Sequence, residues 1–353
     1  MKYTSLVLLV FAVSSCATPR QHKTLKTHKY AKPVDTETRA IAYQETGTYL
    51  IAGVGATNNF PAARLNKFDR INDSLYEATI TPENDPINPS PWYAFKIWAK
   101  EARTLNVRLE YGEFWHRYNP KISTDGEHWE ALDSTLVQLG IDSTSATLKL
   151  NIDKDTLWVA AQEIQDTRRV GAWVNSFKNN ALVTIDNAGK SVQGRPLFHM
   201  NITKGDNTRK PAIIVISRQH PPEVTGFFAM KAFIETLIAE GANNGFFDRY
   251  RLMVYPLMNP DGVDLGHFRH NTGGVDLNRD WSAYHQPEIE QITQHMVNET
   301  KKHKNNVLLG LDFHSTFHDV YYTPHESVKR KIPDFTKTWL ESIRSALAID
   351  DIN

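Results

Sequence analysis

Three side chains of the kinds that bind metal ions stand out in this sequence: His220, Glu223 and His314. The first two belong to the stretch HPPE, and the third lies far downstream. Two imidazoles and one carboxylate form a recurring ligand set of catalytic zinc sites, which keep a further position open for water or substrate. The three residues therefore predict one bound Zn²⁺ ion and hydrolytic chemistry.

The elements predicted around these residues place them at the ends of strands. Residues 213–216 form an apolar run typical of a buried strand, and residues 224–240 have the amphipathic pattern of a helix, so HPPE falls in the loop between them. Residues 307–311 form a second buried apolar run, which His314 follows. Because α/β folds place chemistry in loops at strand ends, we expect the two loops to meet.

Further polar residues follow HPPE in a defined order. NPDG occupies 259–262, Arg269 comes next, and GVDLNRDW occupies 274–281. With HPPE before this segment and His314 after it, the sequence resembles the zinc carboxypeptidases of the carboxypeptidase A type. The resemblance implies that HxxE and the later histidine supply the three zinc ligands.

The same resemblance implies roles for three polar residues of this segment. Arg269 would polarise the scissile carbonyl, with its positive charge where the oxyanion develops. Asn278 and Arg279 would bind the terminal carboxylate of a substrate, for which the planar fork of a guanidinium is well suited. The implied activity is that of a zinc metallocarboxypeptidase, which hydrolyses C-terminal residues from peptides through zinc-activated water. Its partner would be a peptide with a free C-terminal carboxylate.

Within that family the sequence is most similar to the cytosolic carboxypeptidase branch, which places a β-sandwich ahead of the catalytic domain. Residues 92–129 resemble that sandwich. The branch usually has HPGE where this chain has HPPE, and a second histidine where this chain has Thr316. Both departures weaken the argument that this chain shares the branch's specificity for trimming polyglutamate.

Two questions stay open at this point. Asp312 lies two residues before His314 and either orients that imidazole or is an ordinary strand-end acid. The family also keeps a general-base Glu well downstream of the third ligand; Glu326 and Glu341 are available there, and we assign neither. We therefore expect the chain to be a C-terminally truncated member of the family with little turnover of its own.

Alternating and continuous apolar patterns predict two domains of different class. Short strands with period-two alternation recur between about 45 and 165, which predicts an all-β sandwich over 41–167. Apolar runs alternating with helices then predict an α/β catalytic domain over 168–353, with a mixed sheet flanked by helices and incomplete at its C-terminus. The charges of forty basic and forty acidic residues cancel. The chain therefore has no net electrostatic field that would attract nucleic acid.

The N-terminus has the layout of an export signal. Met1-Lys2 precedes an apolar core over 6–13, and small residues precede Cys16, the only cysteine of the chain. Residues 1–16 resemble a bacterial lipoprotein signal, and 17–40 form a polar tether. We therefore expect a periplasmic or cell-surface lipoprotein that contacts membrane only through a lipid at Cys16; the alternative is a simple signal peptide with an incidental cysteine.

Other functions are compatible with these residues. A zinc amidohydrolase of the aspartoacylase or succinylglutamate desuccinylase kind shares the metal ligands, although the sandwich and the NPDG segment argue against it. Trimming of bacterial wall peptides would use the same site. A surface lipoprotein that has lost catalysis and binds peptide or glycan through its sandwich is an alternative from another class.

Overall fold

The computed structural model describes residues 25–85, 87, 91–141, 143–316 and 334–347. The predicted signal peptide and lipidation residue Cys16 lie outside the described residues, as does Glu326. None of the helices within these ranges has both the length and the apolar composition that a bilayer span requires.

Two antiparallel-rich sheets make up the first domain. Its strands are β1 (Thr48–Ile51), β2 (Val54–Thr57), β3 (Lys67–Arg70), β4 (Leu75–Thr79), β5 (Ala94–Ala99), β6 (Arg103–Glu110), β7 (Lys121–Ser123), β8 (Glu130–Ala131), β9 (Val137–Leu139), β10 (Ser145–Ile152) and β11 (Leu157–Ala160). One sheet has the order β1-β2-β5-β11-β7-β8 and the other β3-β4-β6-β10-β9. The predicted all-β domain is therefore present.

Alternation along the strands builds the core between these two sheets. Phe95 and Ile97 of β5 and Val107 and Leu109 of β6 are fully buried and belong to one hydrophobic cluster. The alternate residues Lys96 and Trp98 of β5 and Asn106 and Arg108 of β6 are more exposed, as the period of two requires. At the predicted hairpin, Gly126 has a φ of 76° between the antiparallel pair β7 and β8, a conformation that favours glycine.

The second domain combines helices with a five-stranded mixed sheet. Its elements are α1 (Thr167–Ser176), β12 (Val183–Lys190), β13 (Pro196–Ile202), β14 (Ala212–Ser217), α2 (Val224–Gly241), α3 (Phe246–Arg249), β15 (Arg251–Tyr255), α4 (Pro260–Asp264), α5 (Pro287–Lys302), β16 (Val307–Phe313) and α6 (Phe335–Leu347). The strand order is β12-β13-β15-β14-β16. Hydrophobic clusters pack α1 and α2 on one face of the sheet and α5 on the other.

Parallel pairing brings the two predicted loops together. β14 is parallel to both β15 and β16, and Ser217 at the end of β14 is in register with Phe313 at the end of β16. The residues that follow the two strands therefore leave the sheet at the same edge. This places the HPPE stretch next to His314, as the sequence predicts.

One predicted element differs in its environment. Residues 307–311 belong to β16 as expected, but the prediction that this strand is buried is wrong, because its residues are intermediate or exposed and Val307 is 48% exposed. β16 is the last strand in the described sheet, so one of its edges lacks a neighbouring strand within the described residues. An apolar run does not distinguish a central from an edge strand.

The polar segment before the first strand contacts the second domain. Thr36 is 1% exposed, and its hydroxyl donates a hydrogen bond of 2.7 Å to the Asp280 carboxylate. Gln286 donates to the Thr36 carbonyl oxygen at 2.8 Å, and the Arg39 amide donates to the Gly273 carbonyl oxygen at 2.8 Å. The described end of the predicted tether is thus fixed at these points.

A buried carboxylate joins the two domains. Glu83, in the loop between β4 and β5, is 0% exposed and accepts three backbone N–H hydrogen bonds from Phe268, Arg269 and His270, at 2.7, 3.0 and 2.6 Å. Burial raises the pKa of Glu83, but the charge of His267 and the N–H donors of His270 and Phe268 outweigh burial, so that this pKa lies below its ordinary value. The loop that carries Arg269 is therefore shaped from the first domain.

We expect Glu83→Gln to lower the free energy of unfolding at pH 7 by roughly 2 kcal/mol, because hydrogen bonds to a charged acceptor become bonds to a neutral one. A carboxyl group with a depressed pKa in the folded state stabilises the fold above its unfolded pKa, about 4.3, and loses that contribution as the pH falls further. The difference between the variant and the wild type should therefore shrink below about pH 4 in urea unfolding curves.

The exposed Glu101 provides the matched control, and Glu101→Gln should change stability little at either pH. A destabilisation by Glu83→Gln of equal size at pH 7 and in acid would contradict an ionised carboxylate at this junction.

Candidate metal centre

The three predicted metal ligands converge at the edge of the sheet where β14 and β16 end. One ligand atom each from His220, Glu223 and His314 lies within 4.8 Å of the others. Nδ1 of His220 is 3.0 Å from one Glu223 carboxylate oxygen, and Nδ1 of His314 is 2.6 Å from the other. His220 and Glu223 are buried, and the side chain of His314 is 27% exposed. Such a centre is largely shielded but can be reached from solvent.

Each imidazole is also held by a second carboxylate. Nε2 of His220 lies 2.9 Å from Asp276, and Nε2 of His314 lies 2.8 Å from Asp312. An Nε2–H that donates to a carboxylate leaves Nδ1 free to bind a metal ion and raises its basicity. The contact made by Asp312 favours the orienting interpretation over that of an ordinary strand-end acid.

Charge makes this arrangement fit a cation. Burial lowers the pKa of His314, but hydrogen bonds to Asp312 and Glu223 outweigh it and raise that pKa to about 10. Burial raises the pKa of Glu223, but hydrogen bonds from His220 and His314 lower it to about 2. Three carboxylates around two imidazoles thus favour positive charge between them. A His₂Glu donor set that supplies the site with nitrogen and oxygen ligands suits Zn²⁺.

A chain of hydrogen bonds supports Asp312 in turn. The Gln219 amide donates to the Asp312 carboxylate at 2.7 Å, and the indole N–H of Trp281 donates to the Gln219 oxygen at 2.9 Å. Gln219 is fully buried. The orientation of the His314 ring therefore depends on Gln219, which lies between β14 and HPPE, and on Trp281 at the end of the 274–281 segment.

The first turn of α2 is fitted closely to the His314 backbone. Glu223 is the N-cap residue of α2 but makes no side-chain capping bond, because its carboxylate lies against the two histidines. The Ser315 hydroxyl instead accepts from the Gly226 amide at 2.8 Å, satisfying one free N–H of the helix start. A Cβ at Gly226 would lie 2.5 Å from the His314 carbonyl oxygen, so the close approach requires glycine.

Asp276 connects Arg269 to this centre. Its Nε and Nη2 atoms are each 2.8 Å from one Asp276 oxygen, while the other oxygen of that carboxylate contacts His220. Burial raises the pKa of Asp276, but His220 and Arg269 lower it well below its ordinary value. Asp276 thus fixes the guanidinium relative to a metal ligand.

Asn278 and Arg279 line a cavity of about 590 Å³ next to His314. The Asn278 amide is 3.3 Å from Nε2 of His314, and the Arg279 side chain is exposed. The cavity is also lined by Trp281 and Asp312. A cavity of this size can enclose a small ligand or the terminal residue of a larger one.

The sequence did not reveal several residues that organise the centre. Asp276 lies within the quoted 274–281 segment, and its acidic side chain was the available signal; Gln219 and Gly226 flank HPPE without any signal of their own. Of the two carboxylates considered as general base, Glu326 lies outside the described residues, and Glu341 lies on α6 with Lys337 4.0 Å away. Neither is assigned here.

Comparisons with known proteins agree with this architecture. The sequence profile described as zinc carboxypeptidase matches residues 171–350. Mouse cytosolic carboxypeptidase 3 is 22% identical over 303 residues, covering 72% of this chain and 28% of that protein. An uncharacterized protein from Zymomonas mobilis is 26% identical over 259 residues, covering 70% of this chain and 63% of that protein. The chain thus spans less than two thirds of the length of these curated relatives.

A solved structure is similar over both domains. The metallo-carboxypeptidase from Burkholderia cenocepacia aligns with a TM-score of 0.66 and 20% identity, covering 83% of this chain and 80% of that chain. At this identity the likeness establishes the fold alone. It confirms the predicted fold class, an α/β domain with a mixed sheet preceded by an all-β domain.

We expect Gly226→Ala to weaken Zn²⁺ binding by roughly 10-fold or more, because the new methyl group must displace the His314 backbone and misdirect its ring. Zinc affinity would be measured by competition with a chromophoric chelator. Gly310 on β16 has open space around its Cβ position, so Gly310→Ala is the matched control and should leave affinity unchanged. Equal affinities for both variants and the wild type would refute this coupling.

Proposed function

Because the chain belongs to the zinc carboxypeptidase family, we propose that it is a metallocarboxypeptidase that releases C-terminal residues from peptides. The observation that carries the proposal is the convergence of His220, Glu223 and His314, with one ligand atom from each within 4.8 Å of the others. The three residues come from loops that only the parallel pairing of β14 and β16 brings together.

His220, Glu223 and His314 would hold a single Zn²⁺ ion, the ligand set typical of catalytic zinc. When bound, zinc supplies Lewis-acid chemistry: it polarises a carbonyl and makes water nucleophilic near neutral pH. Asp276 and Asp312 keep the two imidazoles in the required tautomer and orientation.

Arg269 would stabilise the negative charge that develops on the scissile carbonyl oxygen. Asp276 occupies its Nε and Nη2 atoms and fixes the guanidinium, while Nη1 has no acceptor among the residues described for this chain. An arginine held in advance stabilises a developing oxyanion without reorganising during the reaction. The Asp276 carboxylate would thereby keep the oxyanion donor and the metal ligand His220 in register.

Asn278 and Arg279 would bind the free carboxylate at the end of the substrate. Both line the cavity next to His314, and Arg279 is exposed there, so its planar fork can take a carboxylate through two charge-assisted hydrogen bonds. A carboxylate bound there would lie beside Asn278, whose amide is 3.3 Å from Nε2 of the candidate ligand His314. This arrangement favours removal of one terminal residue over cleavage inside a chain.

We expect Arg279→Ala to raise KM roughly 10- to 100-fold for a peptide with a free C-terminus, because a lost hydrogen bond to a charged group costs about 1.5–3 kcal/mol. The change in kcat should be small, and the same peptide with a C-terminal amide should be a poor substrate of the wild type. Release of the terminal amino acid from both peptides by zinc-loaded protein measures these values.

Arg168→Ala is the control for this variant, since that arginine is exposed and pairs with Glu127 of the first domain. Little turnover is expected of this chain, which has no assigned general base, so release is measured over long incubations; its complete absence from the zinc-loaded wild type would contradict the proposed activity. Equal cleavage of the amidated peptide would contradict the proposed carboxylate site.

We also propose that the chain acts outside the cytoplasm as a lipoprotein anchored through Cys16. Support comes from Met1-Lys2, the apolar core over 6–13 and the small residues before this cysteine. In a bacterial host, the wild type should incorporate a fatty-acid label and Cys16→Ser should not. A wild-type protein that stays unlabelled and cytoplasmic would contradict this localisation.

A further inference from the structure

A second group of metal-binding side chains lies on the same sheet, away from the centre described above. It consists of Asp186 on β12, His199 on β13 and His295 on α5, with one ligand atom from each within 4.8 Å of the others. β12 and β16 are at opposite ends of the strand order, and the two groups share no residue. We propose that Asp186, His199 and His295 form a second divalent-cation site that binds Zn²⁺.

Both imidazoles approach the same carboxylate oxygen. Nδ1 of His199 is 2.6 Å from Oδ1 of Asp186, and Nε2 of His295 is 3.9 Å from that atom. The ring centroids of the two histidines are 4.5 Å apart. The longer of the two contacts exceeds hydrogen-bond distance, so His295 has a nitrogen directed toward Asp186 without a bond to it. A cation between the three groups would be bound by all of them.

The second nitrogen of each ring determines which nitrogen is available to an ion. The Tyr255 hydroxyl lies 2.9 Å from Nδ1 of His295, which leaves Nε2 of that ring for the ion. Nε2 of His199 is buried with no hydrogen-bond partner among the described residues, and that residue is 1% exposed. Its Nδ1 atom is the nitrogen that contacts Asp186 and is the one that could share an ion with that carboxylate.

Exposure and charge allow an ion to enter. The Asp186 side chain is 53% exposed, whereas the Glu223 carboxylate at the first centre is 9% exposed. The neighbouring cation Arg251 is paired with Glu299 at 2.6 Å, so its charge is largely compensated. With three protein ligands and an open side, water can complete the coordination of Zn²⁺. The bound ion would connect β12 and β13 with α5.

The experiment counts zinc. We expect metal-free wild-type protein to bind two equivalents of Zn²⁺ in competition with a chromophoric chelator, and Asp186→Asn and His295→Gln to bind one. His314→Gln should lose the other equivalent and keep the proposed one. The double variant Asp186→Asn with His314→Gln should then bind none.

A control variant, a milder variant and a measurement of folding separate loss of the site from misfolding. The exposed Asp155 provides a matched control, and Asp155→Asn should keep both equivalents. Tyr255→Phe retains the ring but removes the hydroxyl next to His295, and should weaken the second equivalent roughly 10-fold. Circular dichroism of each variant in the presence of a chelator verifies the fold.

The proposal is overturned if Asp186→Asn and His295→Gln bind as many equivalents of zinc as the wild type does. The count needs no catalytic activity, so its outcome is separate from that of the proposed peptidase function.

Discussion

The candidate centre depends on a row of alternating carboxylates and imidazoles in which the Glu223 carboxylate lies between two imidazoles. Asp276, His220, Glu223, His314 and Asp312 follow one another in space, each within hydrogen-bond distance of the next. Three carboxylates in a mostly buried row are stable only with compensating positive charge, from protons or a metal ion. Gly226 and the end of β16 keep His314 in position. If either imidazole moved away, the hydrogen bonds of this row would be broken.

The first domain takes part in this arrangement through the loop that carries Arg269. The backbone N–H groups of this loop from Phe268 to His270 donate hydrogen bonds to Glu83, a residue almost two hundred positions earlier in the chain. An irregular loop cannot pair its own N–H groups, and buried ones require an acceptor from elsewhere. Asp276 fixes the guanidinium of Arg269 in the same loop. The all-β domain therefore shapes the site in addition to packing against it.

The same sheet carries two groups of imidazoles around a carboxylate, and burial distinguishes them. At the first, Glu223 is shielded and both rings are supported by further carboxylates. At the second, Asp186 is half exposed and one ring nitrogen of His199 has no described partner. Greater shielding strengthens every electrostatic interaction at the first group, which suits chemistry, whereas the second is better suited to linking elements.

The sequence by itself determined the elements and the residue types at the centre. Apolar runs and helical spacing identified β14 and α2 within a residue or two, since both patterns are local, and the order of HPPE, Arg269 and His314 indicated the ligands. Only the tertiary structure decided that Asp276 supports His220, that Glu83 holds a loop of the other domain, and that β16 is the last strand of the sheet as described. These contacts join residues 56 and 185 positions apart, and such pairs are set by how strands register and domains pack, which local periodicity does not encode.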